Sequence, residues 1–235
     1  SMEIINPIEI KISENLKAIL LKVQNGIIDI NSTRFTEEER SSAIDSLLNR
    51  DGISDLRASL DIEGIRTTVG QTTDLMKVFA TNYESQKIDT DSIKGRNELA
   101  NVIESLTFIR LPVNQDIKLS EEFIKKIHEL VTKDVLHPKY VGAYRDEERI
   151  IKGSQLTIAH PREIENKMYQ ICNIFNASQD DINPIVMGAW LQNQFAQVHP
   201  FQDGNGRVAR VLTNWVLSKN NYFPYHLGEI PRLKY

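Results

Sequence analysis

One short segment of the chain combines the groups that phosphate chemistry requires. It spans residues 199–210 and reads His-Pro-Phe-Gln-Asp-Gly-Asn-Gly-Arg-Val-Ala-Arg. His199 can accept a proton near neutral pH, because the ordinary pKa of its imidazole is about 6.5. Asp203 supplies a hard carboxylate oxygen, the ligand type that holds Mg²⁺ together with substrate phosphates. Phosphoryl or nucleotidyl transfer needs little more, since its catalysis is mostly positioning and charge neutralisation.

A helix is predicted to begin at the glycines of this segment. Gly204 and Gly206 allow a tight turn and a close approach of the backbone to a ligand. The first amides of the following helix have no intrahelical acceptor, so they form an anion site. Arg207 and Arg210 share one helix face with Asn214. A guanidinium binds phosphate oxygens two at a time, so cations line the route away from the anion site.

Two other interpretations of the segment fail on their context. Gly204, Gly206 and Ala209 match a dinucleotide-binding fingerprint, and Glu229 follows 20 residues after Ala209. That fingerprint requires a preceding strand, whereas residues 189–198 have helical periodicity. A zinc site at His199 lacks a second nearby His or Cys ligand, and the chain has no Walker A lysine motif. The remaining histidines are interpreted as ordinary core or surface residues: His128, His137, His160 and His226.

Helical periodicity dominates the rest of the chain. The pattern predicts helices over residues 5–21, 37–48, 54–64, 72–83, 93–109, 120–133, 161–176, 183–198 and 203–221. It breaks at residues 142–158, where a turn at residues 142–145 and a strand at residues 149–154 indicate a hairpin or a solvent-side connection. The fold class is therefore predicted to be all-α with one small β-hairpin.

The composition excludes several classes of function. The chain has 235 residues and a formal net charge of −4, which disfavours general nucleic-acid binding. No apolar run approaches the roughly 20 residues that span a bilayer, and residues 1–11 lack a signal-peptide pattern. Cys172 is the only cysteine, so no disulfide forms within the chain, and a cytoplasmic location is expected.

Residues 199–210 resemble the signature of the Fic family, H-x-F-x-[D/E]-G-N-G-R-x-x-R, at every position. The resemblance implies that His199 deprotonates a Ser, Thr or Tyr hydroxyl, which attacks the α-phosphate of ATP. Asp203 would hold Mg²⁺ on the α- and β-phosphates. The other implied nucleotide contacts are Gly204, Asn205 and Gly206 around phosphate, and Arg207 and Arg210 on the outer phosphates. AMP then stays on the target protein and pyrophosphate leaves.

Residues 142–154 resemble the flap hairpin of the family. Such a flap adds a segment of the target protein as an extra strand, through main-chain hydrogen bonds. It also borders the nucleotide pocket, so further nucleotide contacts are expected at Ile151, Lys152, Gly153 and Ser154. The target is a protein, which includes a second copy of this chain, and the resemblance is compatible with a homodimer.

Residues 59–64 resemble the inhibitory helix [S/T]-x-x-x-E-[G/N] that part of the family carries before its core. The matching residues are Ser59, Glu63 and Gly64. Glu63 is implied to pair with Arg210 and to occupy the position of the γ-phosphate. The predicted organisation is a helical segment over residues 1–50, the inhibitory region over residues 51–70, and the Fic core over residues 71–235, whose last helix is cut short.

Other activities of this scaffold stay open at this stage. Related enzymes transfer UMP, phosphocholine or a phosphate, although the intact loop at residues 204–207 favours AMP. Members with an inhibitory glutamate also remove AMP, and Glu63 would then orient a water molecule. The alternative that is not an enzyme is a regulator that binds nucleotide without turning it over. The sequence does not name the target protein.

Overall fold

The computed structural model describes residues 3–12, 14–34, 36, 39, 43, 92–151 and 157–222. Its α-helices are α1 (Glu14–Ser32), α2 (Ile93–Arg110), α3 (Pro112–Gln115), α4 (Glu121–Thr132), α5 (Ile164–Ser178), α6 (Pro184–Val198) and α7 (Asn205–Lys219). Short 3-10 helices occur at Pro7–Glu9, Pro138–Tyr140 and Pro161–Glu163. The helices predicted over residues 54–64 and 72–83 lie outside the described residues, as does residues 37–48 apart from residues 39 and 43.

The helices around the signature segment confirm the sequence pattern. Ser120 caps α4 by accepting from the Phe123 amide, and Asn183 caps α6 by accepting from the Ile185 amide. Such side chains satisfy an amide that has no partner within the helix, which fixes where the helix begins. Helices α2, α4, α6 and α7 therefore lie within one or two residues of their predicted bounds.

The prediction for the first helix is wrong at both ends. Residues 5–21 were expected to be helical, but α1 begins at Glu14 and continues to Ser32. Asn6 caps only the short Pro7–Glu9 turn, and Ile10 after it has extended backbone angles. Gly26 lies inside α1, because a helix tolerates a single glycine at a cost of about 1 kcal/mol.

The predicted hairpin is not shown by the described residues. Residues 149–151 are irregular, and residues 152–156 lie outside the described part of the chain. Tyr144 instead forms an isolated antiparallel bridge with Phe201 of the signature segment. The turn at residues 142–145 therefore pairs with the loop between α6 and α7.

Helix α7 lies at the centre of the core. It packs against α6, α2 and α4, and Trp215 on α7 is fully buried. The Trp215 ring lies 5.2 Å from Phe123 of α4 and 5.6 Å from Phe175 of α5. Its indole N–H donates to the Asn114 oxygen at 2.7 Å. Both helices that flank the signature loop are thus held by the core.

The first described residues pack on α6. The Ile5 amide donates to Gln194 Oε1 at 3.1 Å, and the Trp190 indole N–H donates to the Ile5 main-chain oxygen at 2.7 Å.

None of the helices in the described ranges combines the length and the apolar character needed to cross a membrane.

Candidate active site

His199 ends helix α6 in an unusual backbone conformation. Its φ is 51° and its ψ is 59°, the left-handed region, and its amide donates to the Phe195 oxygen at 2.9 Å. A residue with a Cβ adopts this conformation only where its surroundings impose it, and such residues cluster at functional sites. Helix α6 ends here, so His199 is the first residue of the loop that joins α6 to α7.

Arg145 holds this turn from the side. Its amide donates to the Pro200 oxygen at 2.9 Å, and its Nε donates to the His199 oxygen at 2.7 Å. Its Nη2 donates to the oxygens of Val198, at 3.3 Å, and Ala159. Only 3% of Arg145 is exposed, so the guanidinium lies inside the fold at the carboxyl end of α6.

The His199 imidazole has a lowered pKa. Burial is the largest cause, and the positive charges of Arg145 and Arg149 act in the same direction. A hydrogen bond to the Ala196 carbonyl and the charge of Asp203 oppose them. The ring is therefore neutral at neutral pH. Since one ring N–H donates to a carbonyl, the other nitrogen keeps the lone pair that a general base requires.

Asn205 closes the loop between α6 and α7. Its Oδ1 accepts from the Phe201 amide at 2.9 Å, and its Nδ2 donates to the Phe201 oxygen at 2.8 Å. The side chain is buried, and both its polar atoms are used by these bonds. A phosphate contact from Asn205 would come from its main-chain amide or from the second hydrogen of Nδ2.

The two glycines of the loop face different surroundings. Gly204 is buried with φ 84°, and a Cβ placed on it would lie 2.8 Å from Thr132 Cγ2. Gly206 is exposed, and a Cβ there would meet the Arg210 Nη1 atom at 3.5 Å, an ordinary contact. Gly204 is thus required by the fold, whereas Gly206 leaves the open side of the helix start clear for a ligand.

His128 of α4 fixes the loop from below. The Gly142 amide donates to its Nδ1 at 2.9 Å, so the ring hydrogen lies on Nε2. This Nε2 donates to the main-chain oxygen of Asp203 at 2.9 Å. Its ring stacks on Phe201 with centroids 3.8 Å apart. Burial is the main cause that lowers the pKa of His128 to about 4. The interpretation of His128 as a core residue is confirmed, yet it also positions the signature loop.

Asp203 presents a carboxylate to solvent. The side chain is 62% exposed; its Oδ1 accepts from the Gly204 amide at 2.7 Å, and its Oδ2 lies 3.7 Å from Arg207 Nη2. No three His, Cys, Asp or Glu side chains converge into a metal site within the described ranges. One exposed carboxylate fits Mg²⁺ bound jointly with phosphates and water, which is how that ion is commonly held.

The Arg207 guanidinium lies near an acidic side chain but keeps one atom without a hydrogen-bond partner in the described part of the chain. Its Nη1 lies 3.7 Å from Glu98 Oε1 on α2, and its side chain is 17% exposed. That Nη1 atom is buried and has no hydrogen-bond partner among the described residues. Gly204, as the residue before α7, offers no side chain to cap the helix. The first turn of α7 thus carries amides without a side-chain cap and the cation of Arg207, and both suit an anion.

The structure describes only some of the remaining predicted site residues. Arg210 lies half-buried one turn after Arg207, and Ile151 is also half-buried. The other predicted contacts lie outside the described residues: Lys152, Gly153, Ser154, Ser59, Glu63 and Gly64.

Sequence reasoning missed Arg149, whose Nη2 donates to the Gln202 oxygen at 3.1 Å and brings a second cation to His199. It also missed Arg145 and the link from His128 to the loop. The spacing of His128 with Ile124, Ile127 and Val131 does indicate a buried position on α4, but no sequence signal indicates its partner.

Comparison with known proteins places a family match over the signature. Residues 118–217 match the model of the Fic/DOC family. A protein adenylyltransferase Fic from Drosophila persimilis is 24% identical over 198 residues, which cover 84% of this chain and 37% of that protein. The protein of the same name from Drosophila melanogaster is 25% identical over 178 residues, which cover 75% and 34%. The chain spans about a third of the length of these curated relatives.

Solved structures share the fold. Fic-1 (residues 134–508) from C. elegans superimposes with a TM-score of 0.58 at 21% identity, over 89% of this chain and 59% of that one. A Fic domain containing signaling protein from Bacteroides thetaiotaomicron gives a TM-score of 0.56 at 22% identity, over 86% and 73%. The helical arrangement described above is therefore common to these proteins.

Proposed function

Because the chain carries a Fic domain over residues 118–217, we propose that it transfers AMP from Mg·ATP to a Ser, Thr or Tyr hydroxyl of a protein. Curated relatives at 24–25% identity carry the name protein adenylyltransferase, which supports this reaction class. The single observation that carries the proposal is the juxtaposition of a neutral His199 with a helix start that has no side-chain cap.

The chemical step follows from these groups. The neutral imidazole of His199 accepts the proton of the target hydroxyl while the hydroxyl oxygen forms a bond to the α-phosphorus. The bond from that phosphorus to the oxygen bridging to the β-phosphorus breaks, and its electron pair leaves with pyrophosphate. The amides at the start of α7 and the Arg207 guanidinium stabilise the phosphate charge. Asp203 would hold Mg²⁺, which when bound neutralises part of that charge.

Regulation by Glu63 is the second part of the proposal. Glu63 pairs with Arg210 and takes the place of the γ-phosphate, so ATP binds in an unproductive pose. The match of residues 59–64 to the inhibitory pattern supports this role. Breaking a buried pair of this kind typically costs about 3–5 kcal/mol, and about 5.5 kcal/mol carries a two-state equilibrium from 1:99 to 99:1.

The target is proposed to dock as an extended segment on the flap that follows Arg145. Ile150 in this stretch is 90% exposed, which leaves it available to an incoming chain. Ile151, Lys152, Gly153 and Ser154 would border the nucleotide. A second copy of this protein is one candidate target, a homodimer is compatible with the site, and the proposed compartment is the cytoplasm.

Mass spectrometry of the purified protein and of a cell lysate after incubation with Mg·ATP tests the function. We expect a mass increase of one AMP on a hydroxyl side chain, stronger with Glu63→Gly than with wild type. A gain of UMP or of phosphate would contradict the choice of AMP. Loss of AMP from a modified protein would show that removal dominates. Calorimetric binding of ATP without any covalent product would favour a regulator without turnover.

A further inference from the structure

Arg145 is a buried cation without a buried counter-charge. Only 3% of it is exposed, and no carboxylate of the described residues forms an ion pair with it. Its Nη1, Nη2 and Nε all donate to main-chain oxygens. A fully buried arginine is rare unless it is paired, so these oxygens must compensate its desolvation.

The acceptors of Arg145 are concentrated at one turn. Its side chain and its own amide bind the oxygens of three consecutive residues, Val198, His199 and Pro200. The last carbonyls of a helix have no intrahelical donor, and a cation at this end complements the helix dipole. Arg145 therefore satisfies the end of α6 at the point where His199 adopts its left-handed conformation.

The same guanidinium connects this turn to two other stretches of the chain, at Glu147 and at Ala159. Nη2 also donates to the Ala159 oxygen, and Nη1 donates to the Glu147 oxygen at 2.9 Å. The Ala159 amide in turn donates to the Gln197 oxygen at 3.3 Å. Four separate carbonyls on three stretches of chain are thus joined through one side chain.

We propose that Arg145 is a positioning residue for His199, whose direction it sets by holding residues 198–200 in the left-handed turn. The inference rests on the proposed role of His199 as the base. Only the planar fork of arginine reaches these acceptors together. A lysine at this position keeps the charge but offers a single donor atom.

The charge of Arg145 has a separate effect from its hydrogen bonds. Arg145 and Arg149 both lower the pKa of His199, while Asp203 and the Ala196 carbonyl raise it. The base works in its neutral form, so activity is present above this pKa and is lost as the pH falls through it. Removal of the Arg145 charge should therefore move the acid limb of the pH profile to higher pH.

Two substitutions separate these effects. For Arg145→Lys we expect kcat to fall about 100-fold, the effect of a misplacement near 1 Å, with the His199 titration close to wild type. For Arg145→Met we expect the same loss, with the His199 titration moved to higher pH. The KM for ATP should stay within about twofold in both variants, because Arg145 does not reach the anion site. Arg162→Met, an exposed arginine, serves as the matched control and should change neither quantity.

The readouts are AMP transfer as a function of pH and the NMR titration of the His199 ring in the nucleotide-free protein. The transfer assay uses Glu63→Gly as the common background, in which the proposed inhibition is removed. The NMR signal does not depend on activity, so an inactive Glu63→Gly protein would refute the proposed function and still leave Arg145 testable. An unchanged kcat together with an unchanged His199 titration in Arg145→Met would overturn the inference. Failure of both variants to fold would also overturn it, because Arg145 would then serve the fold as a whole.

Discussion

His128 Nε2 lies 2.9 Å from the main-chain oxygen of Asp203, across 75 positions of sequence. The hydrogen bond fixes the backbone one residue before Gly204, where the turn into α7 begins. The other ring nitrogen accepts from the Gly142 amide, so the same imidazole also holds the turn at residues 142–145. A neutral ring is required for both bonds, since a doubly protonated imidazole has no acceptor.

The first prediction concerns the pH dependence of stability. The pKa of His128 is about 4 in the folded protein, against about 6.5 in the unfolded chain. Its contribution is therefore fully present above pH 6.5 and is lost as the pH falls to about 4, by about 3 kcal/mol in total. Urea unfolding should show the gap in stability between wild type and His128→Asn shrinking over this range.

Val113→Ala is the control for that experiment, because Val113 is 72% exposed and carries no titratable group. The gap between wild type and Val113→Ala should stay constant with pH. A gap for His128→Asn that is equally constant from pH 7 to pH 4 would contradict the assignment of a neutral, buried His128.

The second prediction separates the two glycines of the loop. Gly204→Ala should destabilise the fold by about 1–3 kcal/mol, because the residue has φ 84° and its Cβ would lie 2.8 Å from Thr132. Gly206→Ala should retain or slightly raise stability, since alanine is favoured over glycine in a helix by about 0.5–1 kcal/mol. Gly206→Ala should instead weaken the binding of ATP. Urea unfolding and calorimetry measure the two quantities, and equal stability losses in both variants would refute the distinction.

The third prediction concerns the base. His199→Ala should reduce AMP transfer by at least about 100-fold, the lower range for loss of a positioned base. Its affinity for ATP should be retained, because the amides of α7 and Arg207 do not depend on the imidazole. His137→Ala is the control and should keep full activity. Transfer by His199→Ala at the wild-type rate would remove the proposed mechanism.

The fourth prediction concerns inhibition. Glu63→Gly should raise AMP transfer by on the order of 10²–10³-fold, because the proposed pairing of Glu63 with Arg210 would be lost. Glu104→Ala removes another acidic side chain, which forms an exposed ion pair with Lys133 at 2.6 Å, and should leave the rate unchanged. Radiolabelled ATP measures both. Equal labelling by wild type and Glu63→Gly would exclude the inhibitory role.

Local sequence patterns predicted the helices that frame the site. Ser120 and Asn183 are caps whose function depends on neighbours two or three residues away. The apolar residues spaced along α6 and α7 are buried as predicted, although polar residues on other sides of both helices are buried as well. The failure at α1 is also local, since Pro7 and an extended Ile10 separate the apolar residues before Glu14 from the helix after it.

Within the site, residue types indicate a chemistry that stays a prediction, and they do not indicate which side chains hold the loop. The phosphate contact expected from Asn205 also stays a prediction, and its side chain binds the backbone of Phe201. Arg145 binds the His199 oxygen from 54 positions away. Such contacts depend on how α4, α6 and α7 pack together, and no spacing rule along the chain encodes them.

The paired bonds between Asn205 and Phe201 have a kinetic consequence. They hold the loop between α6 and α7 without a bound nucleotide, so binding of the proposed ATP would require no rearrangement of this loop. Association should then be governed by encounter and by the attraction between phosphates and fixed cations, and should slow as ionic strength rises. Differences in affinity among analogues would consequently appear in how long each one stays.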